Sequence, residues 1–218
     1  MATIGEKEFE RFCTQHGFTL HKVKEQENKT PDYELLIGGI KIIVEIKDLE
    51  ANEEEKEADN HRRTHNWAVW GSNSPGTRIR YKIEEAKEQL RTSVKGNELT
   101  LLILYDARPL VIKGISPYEM KVAMYGIETF HLAVPKDYRP PMLTGHKFGK
   151  NSKLRPNKND HISAIGILEN GQLSLYHNIF AANPLPKELF TNLPMAEQYT
   201  LETEGTTDDF CDWKKIGS

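Results

Sequence analysis

The stretch that decides the fold is PDYELLIGGIKIIVEIKD, residues 31–48. Two runs rich in Ile, Leu and Val flank Gly38-Gly39, and a glycine pair suits the positive φ angles of a two-residue hairpin turn. With these glycines as the turn, residues that face each other have numbers that sum to 77. The sequence therefore predicts an antiparallel hairpin of two strands, 31–37 and 40–48.

The two faces of this hairpin differ in their chemistry, because successive side chains of a strand point to opposite faces. One face is wholly apolar and must be core: Tyr33, Leu35, Ile37, Ile40, Ile42, Val44 and Ile46. The other face carries the ionisable groups: Asp32, Glu34, Leu36, Lys41, Ile43, Glu45 and Lys47.

Asp32 and Glu45 face each other in this register. Facing side chains have Cβ atoms roughly 5 Å apart, and like charges placed so repel each other. A bound divalent cation would offset the repulsion, since Mg²⁺ prefers carboxylate oxygens, and Lys47 lies on the same face. Two alternatives stay open: the charged face simply meets water, or a one-residue slip sends the two carboxylates to opposite faces.

Apolar periodicity extends the fold on both sides of the hairpin. The predicted elements, in chain order, are a helix over 3–16, a strand over 18–24, the hairpin, an acidic helix over 49–60, a helix over 79–94, a buried strand over 99–106, a short helix over 116–125, a strand over 128–134 and a second hairpin over 161–168 and 172–178. This pattern indicates an α/β fold with a mixed sheet. We expect one domain over 1–182, followed by a proline-containing and then acidic tail over 183–218.

Charge is distributed along the chain in opposed blocks. Lys and Arg number 29 against 32 Asp and Glu, so the net charge is −3, which excludes a protein that coats nucleic acid through overall basicity. Acids dominate 45–59 and 197–212, whereas 136–158 holds seven bases and one acid. Because the basic block also contains prolines and glycines, it reads as a loop. Such a loop suits phosphate contacts, and a solvated surface loop is the alternative.

Cysteine usage and hydropathy bear on the compartment. Cys13 and Cys211 lie almost the full chain apart and form no CxxC motif, which is typical of reduced thiols in the cytoplasm. No apolar run approaches the ~18 residues of a membrane span, and the first residues lack the apolar segment of a secretory signal. We therefore expect a cytoplasmic protein without a membrane partner.

Pro31-Asp32, followed on the next strand by Glu45-Ile46-Lys47, resembles the PD-(D/E)xK signature of the restriction-endonuclease-like nucleases. In that family a helix with a glutamate precedes the hairpin, and a helix and a buried strand follow it, which is the order found here through about residue 106. Gly5-Glu6 and Gly17 also match the start and end of the first helix in many members. The resemblance implies an α-β-β-β-α-β core with a mixed central sheet flanked by helices, here extended by a C-terminal β-hairpin.

The resemblance also implies roles for individual residues. Asp32 and Glu45 would hold Mg²⁺, with Mn²⁺ able to substitute, and the carbonyl of Ile46 would be a further oxygen ligand. Lys47 would orient or activate the attacking water, or stabilise developing charge. Glu6 would hold a second metal or a metal-bound water, and the alternative for Glu6 is an acid favoured by the helix dipole in the first turn.

Several branches of the family place a Gln on the helix after the motif strand, followed four residues later by Tyr. Gln89 is the candidate here, but Ser93 stands where the Tyr would be, so the match is partial and an ordinary surface amide is the alternative. The nucleic-acid-binding candidates are bases near Trp67 and Trp70 and bases of the 136–158 block. They are Arg78, Arg80, Lys147, Lys150, Lys153 and Arg155.

These features lead us to expect a Mg²⁺-dependent endonuclease, a hydrolase of DNA phosphodiester bonds, in a restriction or phage-defence setting. One alternative is a nuclease that acts on RNA or branched DNA, and another is a non-catalytic nucleic-acid-binding protein of the same fold. Cleavage of both strands would require a homodimer or two successive visits by one copy.

Overall fold

The structure is a computed structural model that describes residues 2–24, 30–65, 67, 74–110, 112–137, 139–191, 193, 196–201 and 212–217. Its helices are α1 (Ile4–Gln15), α2 (Glu53–His65), α3 (Thr77–Ser93), α4 (Pro117–Tyr125) and α5 (Glu188–Thr191). Its strands are β1 (Thr19–Lys22), β2 (Tyr33–Ile37), β3 (Ile40–Leu49), β4 (Leu99–Asp106), β5 (Glu128–Ala133), β6 (Met142–Phe148), β7 (Ala164–Glu169), β8 (Gln172–His177), β9 (Ala196–Leu201) and β10 (Trp213–Lys215).

Within the described residues, eight strands form one sheet in the order β1-β2-β3-β4-β7-β8-β9-β10. The pairs β3–β4, β4–β7 and β8–β9 run parallel, and the other pairs run antiparallel. β5 and β6 pair with each other in a separate two-stranded sheet. The predicted α/β fold with a mixed central sheet is therefore confirmed.

Helices cover both faces of this sheet. On one face, Phe9 and Phe12 of α1 pack in a buried cluster with apolar residues of β2, β3 and β4. On the other face, Ile83 and Leu90 of α3 pack in a second cluster with α4 and with the opposite side of β3 and β4. Because β3 alternates between the two clusters, Ile43 and the residues that follow it at every second position lie on the α3 side.

The β2–β3 hairpin has the predicted register. Tyr33 pairs with Val44 and Ile37 with Ile40, and the two turn glycines both have positive φ, 56° at Gly38 and 81° at Gly39. The slipped register is therefore wrong. A fully solvated second face is also wrong, because α3 covers it and buries Glu45 completely.

Two segments differ from the sequence prediction. The basic block is not a loop throughout, since its residues 142–148 form β6, which pairs with β5. Pro140 and Pro141 precede that strand, so these residues do not interrupt its hydrogen bonds. Residues 183–218, assigned to a tail, contain α5, β9 and β10, and β9 adds in parallel to β8. The position of β9 is set by its pairing with the edge of β8. The periodicity of its own residues does not reveal that partner.

No helix of the described ranges is long and apolar enough to cross a membrane. Cys13 is a buried free thiol of α1, and burial raises its pKa to about 12. Cys211 and Trp70 lie outside the described residues.

The start of α1 is fixed to the end of β3 by a close approach at Gly5. Asp48 Oδ1 accepts the Gly5 N–H at 3.1 Å and the Thr3 hydroxyl at 3.3 Å. A Cβ atom at position 5 would lie 2.2 Å from that carboxylate oxygen, so a side chain does not fit. Thr3 also caps α1 by accepting the Glu6 N–H at 3.1 Å. The glycine therefore sets where Glu6 stands relative to the sheet.

Gly5→Ala should lower the free energy of unfolding by about 1–3 kcal/mol, the usual cost of forcing extra atoms into a packed site. Gly96→Ala is the matched control, because the nearest atom to its added Cβ lies 3.7 Å away. Urea denaturation of both variants measures the difference. Equal stability of the two variants would contradict the close approach.

Candidate active site

The hairpin register brings Asp32 beside Glu45, as predicted. Asp32 directly precedes β2, and its N–H donates to the carbonyl of Val44 at 3.1 Å. Its side chain reaches across to β3, where Oδ2 accepts the N–H of Ile46 at 2.8 Å. Ile46 is thus in contact with Asp32 through its amide, while its carbonyl as a metal ligand stays a prediction.

Glu45 is a buried carboxylate whose oxygens have no hydrogen-bond partner among the described residues. Its side chain is 0% exposed, and Lys47 Nζ forms an ion pair with Oε1 at 2.6 Å. Burial, with the nearby charge of Asp32, raises the pKa of Glu45 to about 7 against the opposing effect of Lys47. The fold therefore holds a carboxylate where its ionised form is costly.

Burial and the neighbouring charges also affect the pKa of Asp32. Burial raises its pKa, the N–H of Ile46 opposes this, and the charge of Glu6 raises it further, while Lys47 and Lys22 lower it. Two carboxylates at one place with a single close ammonium leave an excess of negative charge when both are ionised. Such a pair either keeps a proton or takes up a cation.

Lys47 is positioned by α3. Its Nζ donates to Gln89 Oε1 at 3.2 Å, and Gln89 Nε2 donates to the carbonyl of Thr30 at 3.3 Å. Gln89 therefore joins Lys47 to the chain that leads into Asp32, and it is not an ordinary surface amide. The sequence resemblance had pointed to Gln89 through a partial motif only.

Glu6 belongs to a different network, on the α1 side. Its carboxylate accepts from Lys22 Nζ at 2.7 Å, and the Tyr33 hydroxyl lies 3.3 Å from it and 2.7 Å from Glu10 Oε1. Burial alone would raise the pKa of Glu6, but the hydrogen bonds from Lys22 and Thr3 outweigh it and hold the pKa below its usual value. Within the described residues, no hydrogen bond or ion pair joins Glu6 to Asp32, Glu45 or Lys47.

Sequence reasoning missed Lys22 and Glu10 as members of this network. Lys22 reaches it because β1 pairs with β2, which places Lys22 opposite Tyr33. The one available signal was the strand predicted over 18–24, but its partner and register could not be read from its residues. Glu10 lies one helical turn beyond Glu6, a spacing that indicates a shared face.

The basic candidates fall into two groups. Arg78 and Arg80 are held at the start of α3, where Arg78 pairs with Glu55 at 2.8 Å and Arg80 donates to Thr77 Oγ1 at 2.6 Å. Lys153 pairs with Glu84 of α3 at 2.9 Å. These three side chains are therefore engaged in contacts within the protein.

The remaining basic candidates differ in their surroundings. Arg155 contacts the Ser152 hydroxyl beside a turn. Lys147 and Lys150 are exposed at the end of β6 and just beyond it. Within the described part of the chain, neither lysine has a carboxylate partner or a side-chain hydrogen bond.

A cavity of about 880 Å³ lies beyond the carboxyl ends of β3 and β4, apart from Asp32 and Glu45. Arg108 lines it, but this arginine pairs with buried Asp106 at 2.7 Å, so its charge is neutralised inside the protein. Arg78, which also lines the cavity, is paired as well. The cavity therefore offers no unpaired cation for an anionic ligand among these arginines.

The groups that could hold a metal are the carboxylates of Asp32 and Glu45. No cluster of three or more His, Cys, Asp or Glu side chains suited to a metal occurs in the described ranges. A pair of neighbouring carboxylates still fits a cation that keeps part of its water shell, as Mg²⁺ commonly does.

Comparison of the chain with models of protein families, with curated proteins and with solved structures found no match.

The raised pKa of Glu45 predicts a pH-dependent stability in EDTA. Since its folded-state pKa is about 7 and its ordinary value is 4.5, the folded chain binds the proton more tightly, and stability falls as the pH rises between these values. Glu45→Gln removes the titration, so the variant should gain about 2–3 kcal/mol relative to the natural chain between pH 4.5 and 8.

Chemical denaturation at a series of pH values measures this gain. Glu34→Gln is the matched control, because Glu34 lies on the same hairpin and its side chain is 39% exposed beside Lys41. A constant difference between Glu45→Gln and the natural chain at every pH would contradict the prediction.

Proposed function

We propose that this chain is a metal-dependent nuclease with the PD-(D/E)xK arrangement, a hydrolase that cuts phosphodiester bonds in DNA with Mg²⁺. The restriction-endonuclease-like core is part of the proposal. The helix α1, the β2–β3 hairpin, α3 and β4 follow one another in the order that the resemblance implies.

One observation carries the proposal: the completely buried carboxylate of Glu45 stands beside a second carboxylate, Asp32, and its pKa is raised although the Lys47 ammonium lies 2.6 Å away. An ionised group in such a place costs stability, and a protein that only needed to fold would be as stable with an apolar side chain there. A cation held between the two groups compensates for the cost. Carboxylates whose pKa is raised by burial and by a neighbouring charge are common at functional sites.

Asp32 and Glu45 would hold the metal, with the Ile46 carbonyl as a further ligand. Bound there, the ion supplies a Lewis acid for the phosphodiester and lowers the pKa of a coordinated water. Lys47, directed to the same place, would orient the attacking water or stabilise negative charge that develops on the phosphate. An ammonium on a flexible stem suits either role.

Gln89 and Glu6 would act through other residues. Gln89 holds the Lys47 ammonium by one hydrogen bond and the Thr30 carbonyl by another, so it keeps the ammonium close to the carboxylates. Glu6, bound to Lys22, contributes a negative charge that Asp32 senses. In this proposal both are positioning residues.

A non-catalytic nucleic-acid-binding protein is the second candidate, and the 2.6 Å ion pair of Lys47 with Glu45 favours it. In that case Lys47 neutralises Glu45 inside the fold and no metal is needed. The two candidates differ in their response to divalent metal.

Asp32→Asn, Glu45→Gln and Lys47→Ala should each slow plasmid nicking in Mg²⁺ by at least about 100-fold, because each removes a metal ligand or the charge that assists the reaction. Lys41→Ala is the matched control, since Lys41 lies on the same strand and pairs only with exposed Glu34. Gel assays of supercoiled plasmid, with EDTA lanes, measure the rates.

Nicking at the normal rate by Lys47→Ala would overturn the catalytic proposal. Single-stranded RNA and a four-way junction, run beside the plasmid, decide between DNA and the alternative substrates. Absence of cleavage on all three substrates would favour the non-catalytic candidate.

Metal binding can be measured through thermal stability, without an activity assay. Mg²⁺ at about ten times its Kd should stabilise the natural chain by about 1.4 kcal/mol, which corresponds to a Tm increase of roughly 3–6 °C for a chain of this size. Glu45→Gln and Asp32→Asn should lose the shift, whereas Lys47→Ala should keep it. Differential scanning calorimetry at matched ionic strength measures it.

Loss of the Mg²⁺ shift in Lys47→Ala, together with a large fall of its Tm in EDTA, would indicate that Lys47 serves as the internal partner of Glu45. An equal shift in the natural chain and in both carboxylate variants would mean that Mg²⁺ binds elsewhere.

A further inference from the structure

A two-stranded ribbon stands apart from the main sheet. We call residues 126–150 the basic ribbon; it consists of β5, β6 and their connection. In the described part of the chain its strands pair with each other and with no strand of the eight-stranded sheet. Strands of this length extend about 20 Å at ~3.4 Å per residue.

The base of the ribbon is fixed to the domain. Gly126 and Gly149 approach so closely that a Cβ at either position would lie within 2.7 Å of a backbone oxygen. Phe148 packs beside buried Tyr125, with ring centroids 5.3 Å apart. Lys121 of α4 pairs with Glu128 at 2.9 Å, and both side chains are about nine-tenths buried. The ribbon is therefore a rigidly mounted arm.

The outer part of the ribbon exposes apolar side chains in the described structure. Leu132 is 58% exposed, Val134 72% and Met142 58%. Pro135, Pro140 and Pro141 belong to the connection between the strands, where proline stiffens the chain. Surface apolar residues occur singly in most proteins, but a group at the end of an arm indicates a contact surface.

Cations lie along the ribbon, with Lys136 and Arg139 in its connection, Lys147 opposite Thr129 in β6, and Lys150 beside Gly149 at its base. Lys136, Arg139, Lys147 and Lys150 are all exposed. The two acids of the ribbon are neutralised, since Glu128 pairs with Lys121 and Asp137 pairs with Arg139 at 2.8 Å. Within the described residues, the three lysines have no carboxylate partner. The ribbon is thus a net cationic arm in a chain whose net charge is −3.

We propose that the basic ribbon grips double-stranded nucleic acid, with its lysines on the phosphates and its apolar end against the bases in a groove. The proposal rests on the proposed function, because it names the form of substrate that the same chain would hold. A groove of a duplex admits a two-stranded ribbon, and apolar side chains at the end of such arms wedge between base steps. Lysines along the ribbon that have no carboxylate partner among the described residues favour this polyanionic occupant over a second copy of the chain.

The same face of the sheet carries the ribbon and the candidate site. Phe148 packs with the cluster of α3 and α4, the side on which Lys47 meets Gln89. The ribbon and the contact of Lys47 with Gln89 therefore lie on the same side of the sheet.

Binding to a 30-base-pair duplex, measured by fluorescence anisotropy with Ca²⁺ in place of Mg²⁺, tests the lysines. Lys147→Gln combined with Lys150→Gln should lower the slope of log K against log salt by about 1.8, the value for two lost phosphate contacts. The matched control is Lys95→Gln combined with Lys187→Gln, two exposed lysines outside the ribbon, which should leave the slope unchanged.

Leu132→Ser combined with Val134→Ser tests the apolar end. This variant should bind the duplex about tenfold more weakly with an unchanged salt slope, and it should lose the fluorescence increase of 2-aminopurine bases that unstacking produces. Leu110→Ser combined with Tyr118→Ser, which alters exposed apolar residues elsewhere, is the control.

The outcomes separate this proposal from the proposed function. Cleavage by the natural chain with unchanged duplex binding by both ribbon variants would overturn the ribbon proposal alone. Ribbon-dependent duplex binding without cleavage would overturn the nuclease proposal alone. Ribbon variants that change sedimentation or binding to anionic vesicles, but not duplex affinity, would assign the ribbon to a second copy or to a membrane and overturn the duplex proposal.

Discussion

The pairing register of β2 with β3 is the constraint on which the rest of the site depends. Gly38 and Gly39 adopt positive φ angles that other residues rarely tolerate, so the turn has two residues and the register has no freedom to slip. This register places Asp32 beside Glu45 and directs Lys47 toward α3. A shift by one residue would turn Glu45 into the α1 cluster and expose the apolar face of the hairpin.

The register places two carboxylates side by side, and the surrounding groups compensate for their repulsion only in part. Lys47 supplies one ammonium, Ile46 one backbone N–H, and Gln89 keeps the ammonium in place. Lys47 lowers the pKa of Glu45, but burial and the charge of Asp32 still raise it to about 7. An apolar side chain in this place would carry no such cost, and this is why the proposed function assigns Glu45 a ligand role.

Features set by local rules were the ones that the sequence predicted. The turn glycines, the alternation of β3 and the buried strand β4 each depend on neighbouring residues, and these predictions are confirmed. The joining of Lys22 to Glu6 depends on the pairing of β1 with β2, and the addition of β9 depends on an edge offered by β8. Neither partner strand can be identified from the residues of β1 or β9, because their patterns are short and largely polar.

The dependence of a strand on its pairing partner also explains why the loop predicted over 136–158 was wrong in part. Prolines and glycines over 136–158 indicate a loop when the segment is considered alone, but the prolines fall in the connection and β5 supplies the partner that makes β6 a strand. The cluster of basic residues can be recognised in the sequence whatever conformation the segment adopts. Charge patterning therefore described this segment better than its prolines and glycines did.

The two faces of the sheet carry separate charge networks, and Asp32 is the residue that senses both. On the α1 side, Glu6 with Lys22 forms a nearly balanced pair, and on the α3 side Lys47 faces Glu45. The pKa of Asp32 is raised first by burial and is then adjusted by Glu6 and by both lysines. A change on the α1 side, at Lys22 for example, therefore shifts the pKa of a candidate ligand on the other side without contacting it. This electrostatic link gives the α1 glutamate a means of influencing the site although it contacts neither Glu45 nor Lys47.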